Sequence, residues 1–323
     1  MLTAEQRAVR KVHITGSDAA AIVGVNPDKG RLEVWAQKKG LLSDELEPSG
    51  PMERGIYLEP GAREYYREKT GYDVVEVGTI LNEKYPLLAV TPDGAIGRIT
   101  KIGPDSATDK FDRFAALEIK FPTFHTWHRW GAEGTDEVPE KYLPQGIWEA
   151  AGLDVPRTEF VVDLGDHFGL YTVKFDPEVF GQMYQICEKF WRDYVMTDVQ
   201  PPPDGLDSEI ETLKALFPRH ENEQLIESTD ELDALIVEYR AALARADDAE
   251  TVAKAHKAKL MLTIGDAAGM KGPWGKIYYK NNKDSVKTDW ERLARAMGAD
   301  DDLISQYSET KTGARVFRPY WKK

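Results

Sequence analysis

The chain has 323 residues, 41% of them apolar and 30% charged, with a net charge of −13 and one cysteine. That length can bury a large core and suits two domains, or one domain with an appendage. A lone Cys187 excludes an internal disulfide and a thiolate zinc site. With no signal-like apolar run and nothing near the roughly 18 apolar residues of a membrane span, a soluble protein of a reducing cytoplasm is expected.

Ser17–Val23 predicts a short helix opening at Ser17 and closed by Gly24. Leu32–Lys39 predicts a second and Gly55–Thr70 a third, ended by Gly71. Strand patterns follow at Val74–Leu81, Leu87–Val90 and Ala115–Phe121, then at Glu159–Asp163 and Leu170–Phe175. The polar stretch Gly97–Phe114 reads as a surface loop or small hairpin. Helices are expected over Lys141–Ala151 and Pro177–Met196. In the latter, Phe180, Met183, Tyr184, Cys187, Phe190 and Trp191 recur at helical spacing, which gives Cys187 a packing role. This order predicts an α/β fold with a central mixed sheet flanked by helices.

Pro201-Pro202-Pro203 predicts a break, with a first domain over residues 1–200, a linker at 201–208 and a C-terminal region at 209–323. Beyond it, Ser228-Thr229-Asp230-Glu231 fits a capping box. Leu232, Leu235, Ile236, Tyr239 and Leu243 mark one helical face, resumed by Val252, His256, Leu260 and Ile264. One long helix or a helical hairpin satisfies this stripe, self-packing before it is a partner's docking face. Short strands at Gly275–Tyr279 and Arg315–Tyr320 flank a helix at Trp290–Met297. The region is accessory or partner-binding, with no chemical constellation of its own.

Five separated segments carry the chemistry. Glu118 and Lys120 stand two apart in a strand, so both side chains leave the same face. Asp93 lies in a Pro-Asp-Gly turn, Glu59 on a helix, and Gln145 near the start of another. Phosphodiester hydrolysis needs a strong nucleophile, neutralised phosphoryl charge and help for the leaving oxygen. One or two Mg²⁺ ions held by carboxylates supply all three. Asp93 and Glu118, with the Ile119 carbonyl, suit one ion, Glu59 a second, and Lys120 the attacking water. Taken singly, each has a plainer reading: a turn, ordinary strand alternation, a solvent-facing helix residue. Phe124-His125-Thr126-Trp127-His128-Arg129-Trp130 reads as packing first, DNA contact second and a metal site last.

The order of the segments supplies what each one lacks. Ile14-Thr15-Gly16-Ser17-Asp18, Gly24-Val25-Asn26-Pro27, Arg54-Gly55 through Glu59-Pro60, Thr91-Pro92-Asp93-Gly94, Leu117-Glu118-Ile119-Lys120 and Val138-Pro139 through Gln145 run in one sequence. In that order they resemble the YqaJ-like viral recombinase family, the lambda-exonuclease-type branch of the PD-(D/E)xK nucleases. The resemblance implies a restriction-endonuclease-like core and a catalytic set of Asp93, Glu118 and Lys120, with Glu59 and Gln145 beside it. It also implies a DNA 5′-phosphate pocket made by Arg10, Ser17, Thr91 and Gln145. Plainer readings of Arg10 and Ser17 are a surface arginine and an N-cap.

The implied activity is a Mg²⁺-dependent exonuclease, with Mn²⁺ as a substitute. It degrades one strand of linear duplex DNA 5′→3′ and leaves 3′ single-stranded tails for recombination. A structure-dependent endonuclease of the same fold and a non-catalytic DNA-end-binding module are the alternatives. The implied partners are duplex ends and a single-strand annealing protein, in the host cytoplasm if the chain is phage-encoded. Residues 1–200 carry 23 Lys and Arg against 33 Asp and Glu. A tight electrostatic grip on DNA is therefore not expected, and a closed homo-oligomeric ring is the expected route to processivity.

Overall fold

A computed structural model of the chain describes residues 3–42, 50–101, 109–220, 223–285, 287–309 and 317. By contact it divides into Met1–Pro218 and Arg219–Lys323.

The first unit opens with α1 (Ala4–Val12), which the sequence pattern did not reveal. Thr3 caps it in a full capping box with Gln6. α2 (Gly16–Ile22) begins one residue before Ser17, because Thr15 is the N-cap and Asp18 closes the box by accepting from the Thr15 backbone and hydroxyl. Ser17 is thus inside the first turn and is not the cap. α3 (Arg31–Lys38) and α4 (Gly50–Thr70) follow, the latter ended by Gly71 at φ +70°.

The strand expected over Val74–Leu81 is two short ones, β1 (Asp73–Val75) and β2 (Ile80–Leu81), separated at Gly78, whose φ is +64°. β2 pairs with β3 (Ala89–Val90). β4 (Gly94–Thr100) was not foreseen. It forms an antiparallel hairpin with β5 (Lys110–Lys120), so the segment Gly97–Phe114, expected as a surface loop or small hairpin, takes the hairpin form. A register shift at Ile96/Gly97 brings Gly97 against the Phe111 ring, where a Cβ would stand 2.5 Å from ring carbon.

β6 (Arg157–Asp163) lies parallel to β5, and β7 (Phe168–Lys174) antiparallel to β6, giving a mixed sheet in the order β1-β4-β5-β6-β7. A parallel neighbour requires a crossover, supplied by α5 (Leu143–Leu153), which starts two residues later than expected. α5 covers one face of the sheet and α4 the other. Strand alternation then divides β5 between two cores. Ala115, Leu117 and Ile119 pack with Ala62, Tyr66, Val74 and Val161 on the α4 face. Ala116 packs with Trp148, Ala150 and Phe160 on the α5 face, and Glu118 and Lys120 share that side.

α6 (Pro177–Phe190) continues into a wider turn over Trp191–Val195, and Cys187 is buried on it, as its spacing predicts. The proline run is no boundary. Asp204 accepts from Arg31, and Oε2 of Glu209 accepts three successive backbone amides of residues 204–206. Glu209 sits on α7 (Asp207–Leu216), which therefore belongs with the first unit. Gly30 makes room for it, since a Cβ there would lie 2.8 Å from the Glu209 carboxylate.

In the second unit the C-terminal stripe is one helix, α8 (Asp230–Ile264), capped by Thr229 and not Ser228. β8 (Gly269–Gly272) pairs with β9 (Gly275–Tyr278), followed by α9 (Trp290–Ala296) and an unforeseen α10 (Asp301–Gln306). The strand expected at Arg315–Tyr320 lies outside the described residues apart from Phe317.

Candidate active site

β4 starts at Gly94 opposite Leu117, so the ladder runs out just where β5 reaches Glu118 and Ile119. Asp93, the residue before β4, fills that position with its side chain. Its Oδ2 accepts the Ile119 N–H at 2.6 Å. The aspartate is thereby held beside the β5 end by a backbone amide that has no partner in β4.

Glu118 and Lys120 project together toward α5, as their spacing predicts. Lys120 Nζ donates to Glu118 Oε1 at 2.5 Å and to Gln145 Oε1 at 3.1 Å, while Gln145 Nε2 donates to Glu118 Oε1 at 2.5 Å. The ammonium also lies 5.0 Å from the Tyr142 ring centroid. Glu118 is only 5% exposed. Burial and then the Glu118 charge push the Asp93 carboxyl well above its usual range, against the pull of Lys120. Burial alone depresses an ammonium, but Glu118 and then Asp93 outweigh it and raise Lys120.

Glu59 stands apart from this hydrogen-bonded set. It pairs with Arg63 one turn along α4, and Arg63 Nε donates to the Asp93 carbonyl at 2.8 Å. Glu59 therefore reaches the site through Arg63, and its charge adds to the upward pressure on Asp93. The Arg54-Gly55 pair braces the fold, with Arg54 paired to Asp163 at the end of β6 and Gly55 lying against Phe121.

The residues of the expected phosphate pocket come from four elements. Ile14 bridges Leu88 in parallel, which sets the α2 entry beside β3 and hence near Thr91. Gly16 lets α2 approach α5 closely, because a Cβ there would stand 2.9 Å from Gln145 Cγ. Thr91 shares its hydroxyl with Thr79 at 2.9 Å, and Ser17 lies 3.3 Å from the Thr15 hydroxyl. Arg10 is one of three cations around Asp18, the neighbour of Ser17. Buried Asp18 holds Lys29 at 2.8 Å and Lys38 at 2.6 Å, and Lys38 also donates to the Arg10 carbonyl. Burial opposes ionisation of Asp18, but Lys29, Lys38 and Arg10 overcome it and hold its carboxyl well below the usual range.

Beside Lys120 opens a cleft of about 650 Å³ lined by Phe121, Thr126, Arg129, Trp130, Lys141 and Tyr142 among others. Of the aromatic-basic cluster, Trp130 is buried, Trp127 bonds the Pro122 carbonyl and Phe124 is exposed.

A residue that the sequence reading passed over completes the group. Glu149 lies one turn beyond Gln145 on α5 and is 3% exposed, and its Oε2 has no hydrogen-bond partner. Burial, then Glu118, then Asp93 raise it well above the usual carboxylate range. The available signal was a carboxylate at i+4 from Gln145 inside an otherwise apolar helix.

Among the described residues, no three Asp, Glu, His or Cys side chains are poised as a ready cage for one metal ion. The donor set nevertheless suits a hard divalent cation. It offers buried carboxylate oxygens, those of Asp93 and Glu149 raised by burial and by their acidic neighbours, with Lys120 as the cation bonded to Glu118.

Residues 6–151 match the YqaJ-like viral recombinase domain. The chain is 26% identical over 224 residues to the uncharacterized protein YqaJ of Bacillus subtilis (strain 168), an alignment covering 68% of this chain. It spans 65% of the length of that relative. Among solved structures it is similar to an alkaline exonuclease (LHK-Exo) from Laribacter hongkongensis, at 22% identity and a TM-score of 0.45, covering 66% of this chain and 96% of that one. It is also similar to a phage related exonuclease from Haemophilus somnus 129PT, at 14% identity and a TM-score of 0.39, covering 57% and 94%. The stretch that matches the YqaJ-like viral recombinase domain, residues 6–151, holds Asp93, Glu118, Lys120 and Gln145.

Proposed function

We propose that the chain is a divalent-metal-dependent DNA exonuclease that degrades one strand of linear duplex 5′→3′ and leaves a 3′ single-stranded tail. The observation that carries this reading is the bonded set at the end of β5: Asp93 on the Ile119 amide, and Glu118, Lys120 and Gln145 on one another.

Asp93 and Glu118, with the Ile119 carbonyl, would hold Mg²⁺ or Mn²⁺, and Glu59 would serve a second ion. When bound, the cation neutralises phosphoryl charge and supplies a nucleophile at neutral pH. The rest falls to the chain itself. Lys120 orients the attacking water and offsets negative charge as it develops on the phosphoryl oxygens. Gln145 fixes the Glu118 and Lys120 rotamers, so that neither must reorganise during the reaction. Arg10, Ser17, Thr91 and Gln145 receive the terminal 5′-phosphate, and the cleft beside Lys120 receives the strand. A closed ring of subunits keeps the acidic chain on DNA, and the tail passes to a single-strand annealing protein.

The test uses linear duplex with 5′-phosphate or 5′-hydroxyl ends, and covalently closed circles, in Mg²⁺. Mononucleotide release from phosphorylated linear DNA, abolished in Lys120→Ala, is the expected result. Cutting of closed circles would replace the exonuclease by an endonuclease. DNA binding without any cleavage would favour a recruiting module. A monomer by gel filtration under the assay conditions would remove the ring.

A further inference from the structure

Glu149 is costly where it stands. A carboxylate taken from water into an apolar helix face loses several kcal/mol unless donors or an opposite charge replace its hydration. Here Oε2 is enclosed without a donor, and the nearby charges that act on it are Glu118, Asp93 and Lys120. Two of those three are negative. The lysine gives two of its three donors to Glu118 and Gln145, and none reaches Glu149 Oε2.

Its direction is set by the helix. Residues four apart lie on one face, so Glu149 follows Gln145, whose amide bonds Glu118 and Lys120. The β5 residue on the same side two before Glu118 is Ala116, in the core that α5 covers. Glu149 therefore faces the site from one helical turn deeper. No three carboxylates among the described residues converge to ligate one ion directly. A Mg²⁺ ion commonly keeps several of its waters, and those waters need acceptors.

We propose that Glu149 is a positioning residue for the divalent cation, accepting hydrogen bonds from the cation's waters while Asp93 and Glu118 supply the direct ligands. This rests on the metal-dependent reading above. It adds a third carboxylate, on α5, to a site otherwise built at the strand ends.

The test is calorimetric titration of Mg²⁺ into the intact protein without DNA, alongside thermal unfolding in EDTA and in Mg²⁺. Wild type is compared with Glu149→Gln, Glu149→Met and Asp93→Asn. The expected result is an affinity about tenfold weaker in Glu149→Gln and at least as weak in Glu149→Met. In EDTA both should unfold no earlier than wild type, since a buried carboxyl crowded by Glu118 and Asp93 has gone. Asp93→Asn should lose binding outright. Wild-type affinity in both Glu149 variants would overturn this inference alone, with Asp93→Asn still defective. A wild type that takes up no divalent cation would overturn the metal-dependent reading together with it. A purely structural Glu149 would lower the unfolding temperature in EDTA and leave affinity in the folded fraction unchanged, which would also refute the proposal.

Discussion

The two units of this chain place their polar and apolar residues in opposite ways. In residues 3–218 the sheet is covered on both faces, and charged groups are buried as well: Asp18, Glu118, Glu149 and Glu209 are all at most 5% exposed. In the second unit Ile264 alone is buried among the described residues, and on the 35-residue α8 the stripe residues Leu235, Leu243 and Val252 are exposed. Buried charge costs free energy and persists where it is paired or used. Asp18 and Glu209 are paired with lysines and backbone amides, whereas Asp93 and Glu149 are crowded by their own kind. The contrast separates charges that hold the first unit together from charges that strain it.

The largest expected effect exploits that separation. Lys120→Ala should lower the cleavage rate by about 10³-fold, the scale of a positioned acid–base or charge-stabilising group. Asp93→Asn should do likewise, yet unfold in EDTA no earlier than wild type because it relieves the carboxylate crowding. Paired rate assays and thermal melts check this. A large fall in melting temperature for Asp93→Asn would mean that its bond to the Ile119 amide outweighs the repulsion.

Asp18→Asn should show the reverse: reduced stability by roughly 3–5 kcal/mol, as expected when one partner of a buried ion pair is removed. The sign with pH follows from its depressed carboxyl. Its contribution is complete above the ordinary value of 3.8 and is lost as pH falls from there through the lower folded value. Acid unfolding followed by circular dichroism should therefore be steeper in wild type than in Asp18→Asn below that pH.

In the first unit the grouping of the candidate site residues was easier to read than the bounds of the elements. Glu118 and Lys120 are two apart in a strand, a local period that needs no tertiary knowledge, and Gly71 and Gly24 follow the ends of α4 and α2. Asp93 reads as a turn residue, and its bond to Ile119 becomes visible only once β4 is paired. β4 escaped notice because Gly97, Arg98 and Thr100 lack the apolar alternation of a half-buried strand, its outer half being exposed. Glu149 was passed over because a carboxylate in a helix reads as its solvent face, and only the crossover above β5 buries it. The boundary near residue 200 failed for a long-range reason. Arg31 and Asp204 are 173 positions apart, and no local window connects them.

That boundary yields the next effect. Truncation after Pro218 removes the second unit and should leave the melting temperature of the first nearly unchanged. Truncation after Gln200 also removes Asp204 and Glu209 with their bonds to Arg31 and to three amides. The loss should be roughly 2 kcal/mol or more, on the scale of charge-assisted hydrogen bonds. Equal stability of the two truncations in urea would restore the proline run as the boundary.

The smallest expected effect probes the open stripe. Leu243 on α8 is 43% exposed, so Leu243→Ala removes little buried area and retains high helix propensity. In the isolated full-length chain it should change stability by no more than about 0.5 kcal/mol, the range of ordinary surface substitutions. The same truncation at a buried position such as Trp148, whose Nε1 bonds the Ile14 carbonyl, should cost about 3–5 kcal/mol. Urea unfolding at several protein concentrations makes the comparison informative. A cost at Leu243 approaching the Trp148 value, and growing with concentration, would mean that a second copy covers the stripe. A concentration-independent cost of that size would instead mean that the stripe packs within the chain. The small value is what a face left open in the single chain requires.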